Sequence, residues 1–215
     1  MRGIIGCMDY AALPETCCPQ DRATIWIWPG HAAYLGPSLD LHPHFGSVHC
    51  FAVGVDAPFL LRIGDNEQKV RSAMIPARTR HQVVSHGRML YLYLEPDLAD
   101  ERIRTALGLL RAHPCLSAPQ VAAEISLSTS RFLHLFSAQT GTSFRRYRLW
   151  ARMLRVAAAA VEGADLTRAS AEAGFASPSH FSDAFHDMFG LTASTVLATN
   201  TRIVLDPRPG GAPTA

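Results

Sequence analysis

Apolar and polar positions change their period near residue 96, and that change divides the chain in two. Before it, short apolar runs stand between turn signals: Thr24-Ile25-Trp26-Ile27-Trp28, Ala33-Tyr34-Leu35, residues 48–55, residues 59–63, residues 72–75 and residues 89–94. Gly64-Asp65-Asn66, Pro76 and His86-Gly87 punctuate the series. Runs of that length, rich in β-branched and aromatic residues, predict short strands closing into a small barrel or sandwich. After Glu95-Pro96 the spacing turns helical: Leu98, Ile103, Leu107 and Leu110 share a face until His113-Pro114 stops it. The expected fold is α+β, a β-barrel or sandwich followed by an all-α domain. Its segments read as a loose arm (residues 1–22, with Pro14 and Pro19), a β domain (23–96), a connector helix (97–114), a helical domain (115–200) and a C-terminal tail (201–215).

The helical domain contains one pattern twice. Ser117 and Pro119 open a short helix, Ser128-Thr129-Ser130 caps a second, and Phe132 and Phe136 place two rings on one face before Gly141. About fifty residues on, Ala169, Ala171 and Ala173 lead to Gly174, Ser177 caps with Pro178 at the first helical position, and Phe181, Phe185 and Phe189 repeat the four-residue spacing up to Gly190. Helix, tight turn, helix is the supersecondary unit that reads DNA. A long helix over residues 142–161 joins the two units and carries Arg145, Arg146, Arg148, Arg152 and Arg155, candidates for phosphate contacts.

Charge and cysteine usage narrow the picture only slightly. The formal charge is +2, and residues 113–200 hold seven arginines and no lysine against six acids, so arginine placement rather than bulk charge must supply affinity for a polyanion. Five cysteines, Cys7, Cys17, Cys18, Cys50 and Cys115, do not make a disulfide framework and read as reduced thiols. No run approaches a membrane span, and residues 1–10 lack the apolar core of a secretion signal, so the expected compartment is the cytoplasm, with no membrane partner.

Residues 128–190 resemble the AraC/XylS family of bacterial transcription regulators: S-T-S-R-F-L-H-L-F, then T-G-T-S-F-R-R-Y, A-G-F-A-S-P-S-H-F-S-D-A-F and M-F-G stand in order. The resemblance implies two helix-turn-helix units on a linker helix, entering successive major-groove segments about one helical turn apart. It assigns DNA contact to Thr129, Ser130, Arg131, Leu133 and His134 in the first unit, to Thr142, Arg145 and Arg146 at the linker, and to Ser177, Ser179, His180, Ser182 and Asp183 in the second. Arg131 suits guanine or a phosphate, and Leu133 a thymine methyl group. Asp183 stands where the family often has a basic residue; it either accepts from a cytosine amino group or meets phosphate repulsion. The implied protein is not an enzyme but a regulator of promoter DNA, with a small effector, RNA polymerase and a second copy of the chain as further partners.

The β half is similar to the cupin-like sensing domain that precedes such readers. His42-Pro43-His44, His49 and His81 resemble the metal set of cupins with His49 in place of the usual acid, and could hold a divalent metal such as zinc, nickel, copper or iron. The bland reading is a histidine-lined cavity for an organic ligand. Two other functions stay open at this level: a metal-dependent cupin enzyme with a helical appendage, and a redox or alkylation sensor acting through Cys7, Cys17, Cys18 or Cys50.

Overall fold

The computed structural model describes residues 22–198 and 201–205. In chain order the strands are β1 (Thr24–Trp28), β2 (His31–Pro37), β3 (His44–Phe45), β4 (His49–Gly54), β5 (Phe59–Ile63), β6 (Asn66–Val70), β7 (Ser72–Ile75), β8 (Arg80–Val84) and β9 (Arg88–Leu94). The helices are α1 (Glu101–Ala112), α2 (Ala118–Glu124), α3 (Thr129–Thr140), α4 (Phe144–Val161), α5 (Leu166–Glu172), α6 (Pro178–Phe189) and α7 (Ala193–Ala198), and β10 (Arg202–Leu205) follows them.

The strands form a six-stranded sheet, β10-β1-β2-β9-β4-β7, and a four-stranded sheet, β3-β8-β5-β6. Alternation decides which side chains face inward. In β4, Cys50 and Ala52 are buried and their neighbours are not, and in β9 Met89 and Tyr91 are buried. Register places small against large, Ala52 opposite Tyr91 and Gly54 opposite Met89. Phe59, Leu61 and Val83 of the smaller sheet complete this core against Cys50, Ile75, Met89 and Tyr91. Each large apolar side chain so buried contributes about 1.5–3 kcal/mol.

The helices pack on the outer face of the larger sheet, where Ile27, Ala32 and Val48 join Ile103, Leu107, Val121, Phe132, Phe136, Tyr147 and Trp150 in one core. Helix α1, expected as a connector, thus also contributes Ile103, Ala106, Leu107 and Leu110 to the helical core. Polar links cross the junction. The Glu95 carboxylate, only 5% exposed, receives Arg111 at 2.6 Å and the Tyr147 hydroxyl. The Trp150 indole N–H donates to the Gly30 carbonyl at 3.1 Å. One segment read as tail is a strand: β10 runs parallel to β1, from Thr24 opposite Arg202 to Ile27 opposite Leu205.

Candidate nucleic-acid interface

The first unit is fixed by its caps and its rings. The Ser117 amide donates to Gln120 Oε1 at 2.8 Å to start α2, and the Arg131 amide donates to Ser128 Oγ at 3.3 Å to start α3. Such caps stabilise by about 1 kcal/mol each. Between them Ser126 holds a left-handed backbone at φ 54°, which turns α3 across α2. Phe132 and Phe136 are fully buried, edge-on to one another at 5.5 Å and against Phe144. The opposite face leaves Ser130, Arg131, Leu133 and His134 exposed, with Thr129 half-buried at its start. Arg131 has no ion pair among the described residues, so its guanidinium stands available to a base edge or a phosphate.

The second unit uses the same devices with a different outcome. Asp165 Oδ1 accepts from the Arg168 amide at 2.9 Å, Gly174 turns the chain at φ 87°, and Ser177 Oγ accepts from the His180 amide at 3.1 Å to start α6. Ser177, Ser179, Ser182, Asp183 and His186 are exposed. His180 is turned back: its ring packs edge-on to Phe175 at 5.6 Å and its Nδ1 accepts from the Ala176 amide at 3.4 Å. His186, a turn beyond Ser182 and Asp183, was absent from the residues assigned to DNA, and the i to i+4 spacing of the face is the signal that includes it.

Two linker assignments are corrected by burial. Thr142 is 1% exposed, packed in the α3–α4 turn beneath Thr140, and cannot reach a phosphate. Arg146 is drawn into the fold, donating to the Phe45 carbonyl at 3.3 Å and lying over the Phe45 ring at 5.1 Å. Arg148 likewise bonds the Pro114 and Cys115 carbonyls, and Arg152 lies over Phe175. Arg145 and Arg155 remain exposed.

The histidines divide otherwise than their spacing suggested. His44 and His81 pair across β3 and β8, both buried, with ring centroids 4.3 Å apart. Each donates its Nδ1–H to a backbone carbonyl two residues back, His44 to His42 O at 2.8 Å and His81 to Thr79 O at 2.9 Å, since a carbonyl can only accept. Burial, reinforced by His81, pulls His44 down to about 4, and burial lowers His81 as well. His42 meets His186 of α6 with ring centroids at 5.5 Å. His49 lies elsewhere, on β4 beside the α3–α4 turn at Gly141, because it follows the outward face of its strand. Among the described residues no three His, Cys, Asp or Glu side chains gather so as to hold a metal, which removes the cupin-type set as read. Cys7, Cys17 and Cys18 lie outside the described residues. Cys50 is buried and its thiol is pushed up to about 12, so it is a poor nucleophile.

A cavity of about 120 Å³ opens between the larger sheet and helices α4, α6 and α7. Tyr34, Tyr91 and Tyr93 wall it on the sheet side, and Trp150, Phe185 and Phe189 on the helix side. None of the four candidate histidines lines it. Burial pushes Tyr34 up to about 12 and raises Tyr91 and Tyr93 beyond the usual tyrosine range. Phe185 and Phe189 therefore serve two surfaces: they continue the aromatic stripe of α6 and they close a chamber against β9, with Tyr93 edge-on to Phe189 at 5.6 Å.

Residues 121–199 match a family model described as a helix-turn-helix domain. Three solved structures of ToxT from Vibrio cholerae share the fold. An apo point variant is 11% identical with a TM-score of 0.56 over 79% of this chain and 97% of that one. A second structure is 10% identical with a TM-score of 0.52 over 79% and 97%. The wild-type protein bound to an unsaturated fatty acid is 11% identical with a TM-score of 0.51 over 79% and 94%. No curated protein matches the chain. The likeness to these structures takes in the β half and the helical half together, which confirms the α+β architecture.

Proposed function

We propose, from the AraC-type helix-turn-helix domain that residues 121–199 form, that this DNA-binding transcription regulator reads an operator mainly through α3 and answers to a small effector held behind α6. The observation that carries the reading is the pair of capped helices, each anchored by phenylalanines on one face and open on the other. On α3, Arg131 is placed to pair with guanine or a phosphate, Leu133 to meet a thymine methyl group, and Ser130 and His134 to flank them. On α6, Ser179, Ser182 and Asp183, with Ser177 and His186 at the margins, form the second reading face, and Arg145 supplies a phosphate contact from the linker.

The cavity supports the effector part. It shares walls with the sheet and with α6, so a ligand that fills it contacts both halves, and a ligand shifts a conformational equilibrium only through such differential contact. The fatty-acid-bound ToxT structure adds the support of a similar fold that holds a small organic molecule. We place the effector here rather than at the histidines. RNA polymerase and a second copy of the chain are the further partners of a promoter-bound regulator, and the bacterial cytoplasm is its compartment; no helix among the described residues is long and apolar enough to cross a membrane.

The test is footprinting on genomic DNA followed by mobility shifts on the recovered operator. Arg131→Ala and His134→Ala should each weaken specific binding by about 1–3 kcal/mol, as loss of a base contact does. Undiminished binding by both variants would remove α3 as the principal reader.

A further inference from the structure

Residues 41–49, 76–86 and 141–155 contain no aspartate or glutamate, and the fold brings parts of all three together. Strand β3 is an edge of the smaller sheet, and Arg80 stands opposite Phe45 across β3 and β8. The Arg80 guanidinium lies over the Phe45 ring, 5.6 Å from its centre, and Arg146 from the first turn of α4 lies over the same ring at 5.1 Å. Arg78 stands just before β8, its amide donating to the Gly46 carbonyl at 2.9 Å. Arg145 is exposed beside Arg146. One ring thus joins a cationic edge of the β half to the linker helix.

The charge on this edge is unmatched. Arg62, Arg71 and Arg88 of the β half are committed, to Glu67, to the Val55 carbonyl and to Asp56. Arg78, Arg80 and Arg145 are exposed and take part in no ion pair among the described residues. Like charges gathered without acids, on a chain of net charge only +2, are the electrostatic footprint of a polyanion. Backbone conformation points the same way. Arg78 holds φ 66°, a region glycine enters freely, yet the position carries a long charged side chain.

The edge also lies between the two readers. Arg146, shortly after α3, donates to the Phe45 carbonyl at 3.3 Å. At the other reader the His42 ring packs on His186 of α6 at 5.5 Å, and the His42 amide donates to the Gly190 carbonyl. Readers in successive major-groove segments leave the intervening minor groove, bordered by both phosphate strands, facing whatever stands between them.

We infer that the β half is itself part of the DNA interface: Arg78 and Arg80 hold backbone phosphates between the segments read by α3 and α6. The inference rests on the proposed reading of the helical domain as a DNA reader. Arg146 serves by positioning, since it pins Phe45, on which Arg80 rests. Contacts of this kind add affinity without sequence preference.

Anisotropy titrations of the full-length protein over a salt series test it, with one duplex carrying the footprinted operator and another of scrambled sequence. Arg78→Gln and Arg80→Gln should each lower the slope of log affinity against log salt by about 0.9, as loss of one phosphate contact does, and weaken both duplexes by the same factor. Arg80→Lys, which keeps the charge, should recover the slope. Arg88→Gln removes the same charge beyond the opposite end of β8, from a side chain paired with Asp56, and should leave the slope unchanged. An unchanged slope in the Arg78→Gln, Arg80→Gln double variant would overturn the inference and leave the helical readers standing. So would an equal fall in Arg88→Gln, which would make the effect one of bulk charge, or a fall in Arg80→Lys as deep as in Arg80→Gln, which would make it structural. Failure of the wild-type protein to bind either duplex would overturn the DNA-binding reading and this inference together.

Discussion

Helices α3 and α6 are built from the same pattern, yet they are anchored to different things. The rings of α3 are sealed within the helical core, Phe132 and Phe136 fully buried against Phe144. Of the rings of α6, Phe181 is buried within its own unit, whereas Phe185 and Phe189 are half-buried and look across a cavity at Tyr93 and the sheet. The C-terminus of α6 is held by the β half too: the His42 amide donates to the Gly190 carbonyl at 2.8 Å. Gly190 stands at φ 75°, and a Cβ there would come within 2.4 Å of the His42 carbonyl oxygen, so only glycine both caps the helix and admits that contact. Identical sequence devices thus give one reader whose position depends on its own core and another whose position depends on a second domain. The first suits constant recognition and the second suits control.

Core substitutions should open the largest gap between the two. Phe136→Ala should cost about 3–5 kcal/mol of stability in urea melts, and Phe189→Ala, at the edge of an existing cavity, about half of that. Equal losses would mean that α6 is as firmly seated as α3. Acid should next loosen α6 first. His44 has its folded value lowered from 6.5 to about 4, so the unfolded chain takes up the proton more readily. The stability it protects is present above pH 6.5 and is lost as pH falls toward 4, about 3 kcal/mol in all. His81 acts in the same direction. Titrating Trp150 fluorescence and urea stability from pH 7 to 4 should show this loss, and His44→Gln should flatten it. The smallest effect is expected from Asp183→Arg, which exchanges repulsion for a phosphate contact and should tighten operator binding roughly threefold while steepening the salt dependence by about one unit of slope. Weaker binding by that variant would instead make Asp183 a base contact and bring the two readers closer to parity.

Patterns that depend on local spacing were legible in the chain. Alternation gave β4, β5, β7 and β9 nearly to the residue, and the paired Ser caps and phenylalanine stripes gave α3 and α6. Strand β6, Asn-Glu-Gln-Lys-Val, was not legible because it lies on a sheet edge with almost every residue exposed, and no alternation can mark a strand with no buried face. Strand β8 hid its buried positions, His81 and Val83, behind polar neighbours. Thr142 and Arg146 were misplaced for another reason: a turn and a neighbouring domain, both remote from local periodicity, decide where they point. The cavity lay furthest from view. Its walls come from Tyr34, Tyr91, Trp150, Phe185 and Val196, which no sequence window contains together, whereas the candidate histidines were conspicuous in sequence and only His44 and His81 of them pack on one another, with His49 apart at the α3–α4 turn.

Strand β10 sets an order of events during synthesis. Its partner β1 opens the described chain, and between the two lie the rest of both sheets and every helix. A growing chain can pair β1 with β2 at once, but the outer edge of β1 keeps its backbone groups unpaired until residues 202–205 have left the ribosome. The β half therefore waits for the helical half before its larger sheet is complete, and an unfinished chain presents an open strand edge to its neighbours. Shortening the protein before residue 202 would make that transient edge permanent.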